Sequence, residues 1–149
     1  MISAARLAIA FGFAGLIPFL VGTLAVATCP EADTEWVELF YIYSAGILAF
    51  MAGVYWPIAL QLDDGCHYPL SPVWTLLISQ LFFLTAGLAL LLPLQGQAIF
   101  YPISYLLLYF VDVRLMRLYW PTWYLRLRLL LTSVACLSQL VVAASFVMG

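Results

Sequence analysis

Long uncharged apolar runs alternate along this chain with short segments that hold its charges. Leu7 to Ala27 is a run of 21 residues after Arg6, and Leu39 to Leu60, Val73 to Leu94 and Leu129 to Met148 are of similar length. A helix rises about 1.5 Å per residue, so each run can cross a hydrocarbon core about 30 Å thick. A further segment is shorter: Ala98 to Val111 gives 14 uncharged residues before Asp112. That length also suits a re-entrant or interfacial piece. Pro18, Pro57 and Pro102 fall within the apolar segments. Each removes a backbone hydrogen bond and predicts a kink that neighbouring groups must repair.

Charge decides how the short segment is read. All five cations are arginines, and four of them lie between Arg114 and Arg128. If the segment crosses, Arg6 and that cluster share one side of the membrane and no arginine lies on the other, as the positive-inside rule requires. The expectation is an all-α, polytopic membrane helical bundle with the N-terminus in and the C-terminus out. Its five transmembrane helices cover about 7–27, 39–60, 73–94, 97–115 and 127–148, and residues 1–149 form a single transmembrane domain. Arg6 and the Ala25-Val26-Ala27 triplet also resemble the ends of a signal peptide. The apolar run exceeds the usual core of one, so a retained span is expected.

Composition removes other classes. With 66% hydrophobic and 8% charged residues, the chain is far from a soluble domain, which carries roughly 45–50% and about 25%. The arginines abut apolar spans and form no basic face, so the lipid bilayer is the expected partner and nucleic acid is not. Trp36 and Tyr41 are predicted to mark one interface, and Tyr55, Trp56, Trp74, Tyr119, Trp120, Trp123 and Tyr124 the other. Cys29, Cys66 and Cys136 fall in the first loop, the second loop and the last span, and imply no disulfide framework.

Three segments carry a resemblance: Gly15-Leu16-Ile17-Pro18-Phe19; Tyr43-Ser44-Ala45 through Gly53 to Tyr55-Trp56; and Trp123-Tyr124-Leu125-Arg126-Leu127-Arg128 running on to Thr132. Together they resemble the domain-of-unknown-function family of small multi-pass membrane proteins that includes transmembrane protein 69. The family shows a Gly-Gly-x-His-Trp-Gly pattern late in its second span, where this chain reads Ala52-Gly53-Val54-Tyr55-Trp56-Pro57. Tyr55 therefore stands where the histidine would be. The resemblance implies a compact protein of a bacterial or mitochondrial inner membrane. The lack of an Arg/Ser-rich transit segment favours the bacterial inner (cytoplasmic) membrane.

Several side-chain groupings are candidates for function. Ala45, Ala49 and Gly53 recur every four residues, a small-residue seam for close packing within the protein or for a membrane partner. Tyr101, Tyr105 and Tyr109 recur at the same spacing. They place three phenols on one face, suited either to helix packing or to a hydrophobic ligand such as a quinone, porphyrin or sterol. Asp112, at the end of an apolar segment, calls for a cation, and Arg126 or Arg128 across the short connection can supply one. Both arginines can equally serve as topology and headgroup anchors. Asp63-Asp64-Gly65-Cys66-His67 holds ligand-type residues, but zinc spacings need partners beyond them, and no metal site or cofactor is expected. Gln80 and Gln139 read as interhelical hydrogen-bonding groups.

His67 is the only imidazole and lies in a loop, and no carboxylate falls near mid-membrane. Neither a nucleophilic triad nor an ion path is suggested. The expectation is a non-enzymatic accessory, structural or assembly component of a larger membrane complex. The alternative is a binder or carrier of a hydrophobic aromatic small molecule.

Overall fold

In lipid a backbone must satisfy its own polar groups, and these apolar runs do so as helices. The computed structural model describes residues 3–28, 34–61, 71–115, 117 and 120–148, and among them there is no strand. The helices are α1 (Ala4–Thr28), α2 (Thr34–Gly53), α3 (Tyr55–Gln61), α4 (Pro72–Leu88), α5 (Leu94–Arg114) and α6 (Thr122–Met148), with a 3-10 turn at Ala89–Leu91. Five segments are long and apolar enough to cross a membrane: Ala4–Thr28, Glu35–Pro57, Pro72–Leu91, Leu94–Arg114 and Thr122–Ser145. The short fourth segment is thus a full-length helix, because Leu94 to Gln97 and Asp112 to Arg114 extend it at both ends.

The widest helix contacts are α2 with α4, α1 with α6 and α5 with α6, followed by α3 with α4, α1 with α2 and α2 with α5. Helices α1, α2, α5 and α6 close a ring, and α4 covers α2 from outside. Accordingly the second span is the more buried, at 44% of an 18-residue apolar stretch within it, against 17% for the first. Phe19 of α1 fills the middle, edge-on to Phe40 at 5.6 Å, Tyr43 at 5.2 Å and Tyr105 at 6.3 Å between ring centroids. Tyr41 stacks on Tyr101 at 5.8 Å. Such contacts contribute about 0.5–1.5 kcal/mol each beyond area burial.

The three prolines behave differently. Helices α1 and α5 run unbroken through Pro18 and Pro102, whereas the second span breaks at Val54, three residues before Pro57. A helical proline clashes with the carbonyl four residues earlier, here Gly53, where α2 ends. Ser79 of α4 donates to the Ala52 carbonyl at 2.7 Å beside the break. Tyr43 donates to the Gly15 carbonyl at 2.6 Å, next to the acceptor that Pro18 frees. Helix α4 starts with Pro72 behind Ser71, whose Oγ accepts from the Trp74 amide. Buried Gln97 ties the α4–α5 turn by donating to the carbonyls of Leu90 at 3.2 Å and Leu92 at 2.8 Å.

Two sequence expectations need correction. Tyr41 and Tyr55 do not sit at interfaces: they are 1% and 0% exposed, since one ring stacks on Tyr101 and the other hydroxyl meets Asp112. Trp36, Trp56, Trp74 and Trp123 remain exposed and suit that role. Gln139 is buried, but neither its amide nitrogen nor its oxygen has a hydrogen-bond partner among the described residues.

Close helix approach gives a test. A Cβ on Gly22 would lie 2.8 Å from Phe40 Cδ2, in a ring held by Phe19 and Tyr41, whereas one on Gly46 meets nothing within 4 Å. Gly22→Ala is expected to lose about 1–3 kcal/mol by overpacking. Gly46→Ala should gain up to about 1 kcal/mol through helix propensity. Unfolding by denaturing detergent, titrated into mild micelles, measures both.

Candidate functional site

The break at Val54 starts α3 with Tyr55, and the short connection after α5 returns the chain into α6. These two features bring Tyr55, Asp112 and Arg128 together. Arg128 donates to Asp112 Oδ2 through Nε at 2.8 Å and Nη2 at 2.5 Å, while the Tyr55 hydroxyl donates to Oδ1 at 2.5 Å. Exposure is 0% for Asp112, 0% for Tyr55 and 3% for Arg128. Both carboxylate oxygens therefore have charge-assisted or hydroxyl donors, the condition under which a buried acid is tolerated.

Aromatic rings wall the pair. The guanidinium carbon of Arg128 lies 5.8 Å from the centre of Tyr124, whose ring packs on Trp120 at 4.5 Å; Trp120 reaches Tyr55 at 6.4 Å. Excluding water strengthens each bond and raises the cost of losing one. The Trp120 indole nitrogen is buried without a partner among the described residues.

Next to this cluster a cleft of about 390 Å³ lies between α1, α2 and α6. Ala8, Val54, Tyr124 and Arg128 line one end, and Phe19, Ile47, Tyr105 and Ala135 the other. Gly12 and Gly15 also line it. A Cβ on Gly15 would have a single neighbour within 4 Å, the Tyr43 hydroxyl oxygen at 3.9 Å, so its missing side chain keeps the cleft open. A second groove of about 440 Å³ lies between α2 and α4, along Ile42, Ala45, Gly46 and Ala49 facing Phe83, Leu84 and Gly87.

The sequence-derived candidates distribute as follows. Asp112 meets Arg128, whereas Arg126, two residues away, is exposed. Tyr101 and Tyr105 are buried and donate to the carbonyls of Ala86 at 2.9 Å and Ser44 at 2.7 Å; Tyr109 is half-buried. The hydroxyls of the first two are engaged in packing, although the Tyr105 side of the cluster borders the cleft. Ala45 is buried, Ala49 half-buried and Gly53, the last residue of α2, exposed. Ala45 and Ala49 border the α2–α4 groove. Cys29 and the Asp63-to-His67 cluster lie outside the described residues. Among the described residues no group of three His, Cys, Asp or Glu is placed to hold a metal.

Sequence reasoning missed Tyr55 as a partner of Asp112. The signal was its place in the pattern, where a polar ring-bearing residue replaces another, but only the fold sets it against α5. It also missed Ser79, Tyr43 and Gln97, whose acceptors are backbone carbonyls with no sequence signature.

Among the described residues the architecture is all-helical, with five apolar helices as in a multi-pass membrane protein, clamped by a buried carboxylate–guanidinium pair. The chain belongs to the family described as "Protein of unknown function (DUF3429)", whose family model matches residues 4–144. No curated protein and no solved structure matches it significantly.

The pair predicts a strong coupling. Asp112→Asn and Arg128→Met should each lose about 3–5 kcal/mol by stranding a buried partner. The double variant should lose much less than their sum. Tyr55→Phe is expected to lose about 1.5–3 kcal/mol, and Arg126→Ala to stay within about 0.5 kcal/mol of the parent. Detergent-unfolding free energies check all of these, and additive losses at Asp112 and Arg128 would contradict direct coupling.

Proposed function

We propose that this chain is a non-enzymatic accessory, structural or assembly component of a larger membrane complex. In this reading it is a single domain that crosses a bacterial inner membrane five times, with its N-terminus in the cytoplasm and Gly149 outside. Arginine placement supports that orientation, and the motifs of the first, second and last spans support kinship with transmembrane protein 69.

The observation that carries the reading is the α2–α4 groove. Ala45, Gly46, Ala49 and Gly87 leave a channel of about 440 Å³, and added Cβ atoms on Gly46 and Gly87 would meet nothing within 4 Å. In lipid, helices associate through close van der Waals contact at small residues, so a partner helix can seat here at short range. The buried charges add to this: Arg128 and Tyr55 both donate to Asp112, and the three act as a clamp. Carriage of an aromatic ligand on the tyrosine face draws less support, because the Tyr101 and Tyr105 hydroxyls already hold backbone acceptors.

Purification from source membranes in gentle detergent tests the proposal. The parent chain is expected to co-elute with other membrane proteins. Gly46→Leu and Gly87→Leu should lose them while keeping the parent's thermal transition. Recovery of the parent only as a free monomer would sink the idea.

A further inference from the structure

We infer that the cleft between α1, α2 and α6 is a resident-lipid site, taking one acyl chain of an anionic phospholipid with its phosphate at the Arg128 end. The inference rests on the reading that these helices cross a bilayer, and it is independent of the partner groove.

Length is the first argument. The cleft runs along α1 from Ala8 to Phe19, a helical rise of about 16 Å at 1.5 Å per residue. One leaflet supplies about 15 Å, half of a 30 Å hydrocarbon core. The slot therefore extends from a headgroup level to mid-membrane, the depth an acyl chain occupies. Its volume of about 390 Å³ lies within the range of about 300–1,000 Å³ of small-molecule sites.

The lining is the second. Phe11, Gly12, Leu16, Ile47, Phe50, Met51 and their neighbours make apolar walls. At the inner end the Tyr105 hydroxyl is engaged by the Ser44 carbonyl. A quinone carbonyl or a porphyrin carboxylate pushed to that depth would leave its water without gaining that donor. An aliphatic chain asks for none and gains dispersion contacts along the walls.

Charge is the third. The cleft meets polar side chains at its Arg128 and Tyr124 end. The Arg128 guanidinium there is held by Asp112, so the cations that a headgroup can meet at this level are exposed Arg6, two residues before cleft-lining Ala8, and exposed Arg126, two before Arg128. Cations at headgroup level attract an anionic phosphodiester over a zwitterionic lipid.

The test uses the full chain in nanodiscs of equal parts phosphatidylcholine and phosphatidylglycerol, followed by native mass spectrometry. The parent should retain one phosphatidylglycerol after the bulk lipid is stripped. Gly15→Leu and Val54→Phe, which fill the slot from α1 and from the break between α2 and α3, should lose that adduct, and Gly46→Leu should keep it. Thermal transitions identify any variant that fails to fold; if Gly15→Leu does, Val54→Phe decides. Adducts in bulk proportion, adducts that survive the folded filling variants, or a bound quinone or porphyrin in place of the lipid would each overturn the inference. Because Gly46→Leu probes the partner groove and the filling variants the lipid slot, the two proposals fail separately.

Discussion

A carboxylate and a guanidinium cannot sit unpaired inside an apolar bundle, and the way this molecule meets that constraint organises the rest of it. Asp112 is at the end of α5, Arg128 enters α6 and Tyr55 begins α3, so satisfying one acid ties three separate parts of the chain. The break that accompanies Pro57 in the second span serves this tie. If α2 continued straight past Gly53, the side chains beyond it would keep the phase of the preceding turns; the interruption at Val54 gives Tyr55 an approach to Asp112 of its own. Trp120 and Tyr124 then wall the pair, and the low local dielectric makes the clamp strong.

Elsewhere the same economy of polar groups recurs on a smaller scale. Hydroxyls of Tyr43, Ser79, Tyr101 and Tyr105 each reach a backbone carbonyl on another helix. These bonds fix helix register where lipid provides no hydrophobic drive for association. Small residues set the spacing. Gly22 admits the Phe40 ring, whereas Gly15 borders space that no side chain fills.

Two concave surfaces follow from this packing, and they differ chemically. The α2–α4 groove is lined by Ala and Gly backbones, which favours a helix as its complement. The cleft beside α1 is walled by apolar side chains and ends beside the Arg128–Asp112 pair, which suits the amphiphile proposed for it. They lie on different sides of α2, so the occupants proposed for them would not obstruct one another.

The five long apolar helices were legible in the sequence because they depend on run length, which is a one-dimensional quantity. The short fourth segment was harder to read, because its helix extends through polar and charged residues at both ends of the apolar run. The need for a cation near Asp112 was legible too, since the energetic penalty belongs to the residue itself. Which arginine answers it was not: Arg126 and Arg128 differ by two positions, about 200° around a helix, and only the packed orientation of α6 turns Arg128 inward. Tyr41 and Tyr55 looked interfacial from their neighbours, and the fold buried them because a ring and an acid awaited them on α5. Run lengths and charge placement were thus determined by the sequence alone, whereas of the three prolines expected to kink their helices only Pro57 accompanies a break. The partners of each polar group, and the cleft that Gly15 leaves open, were decided by tertiary structure, because both depend on rotations between helices that no local pattern encodes.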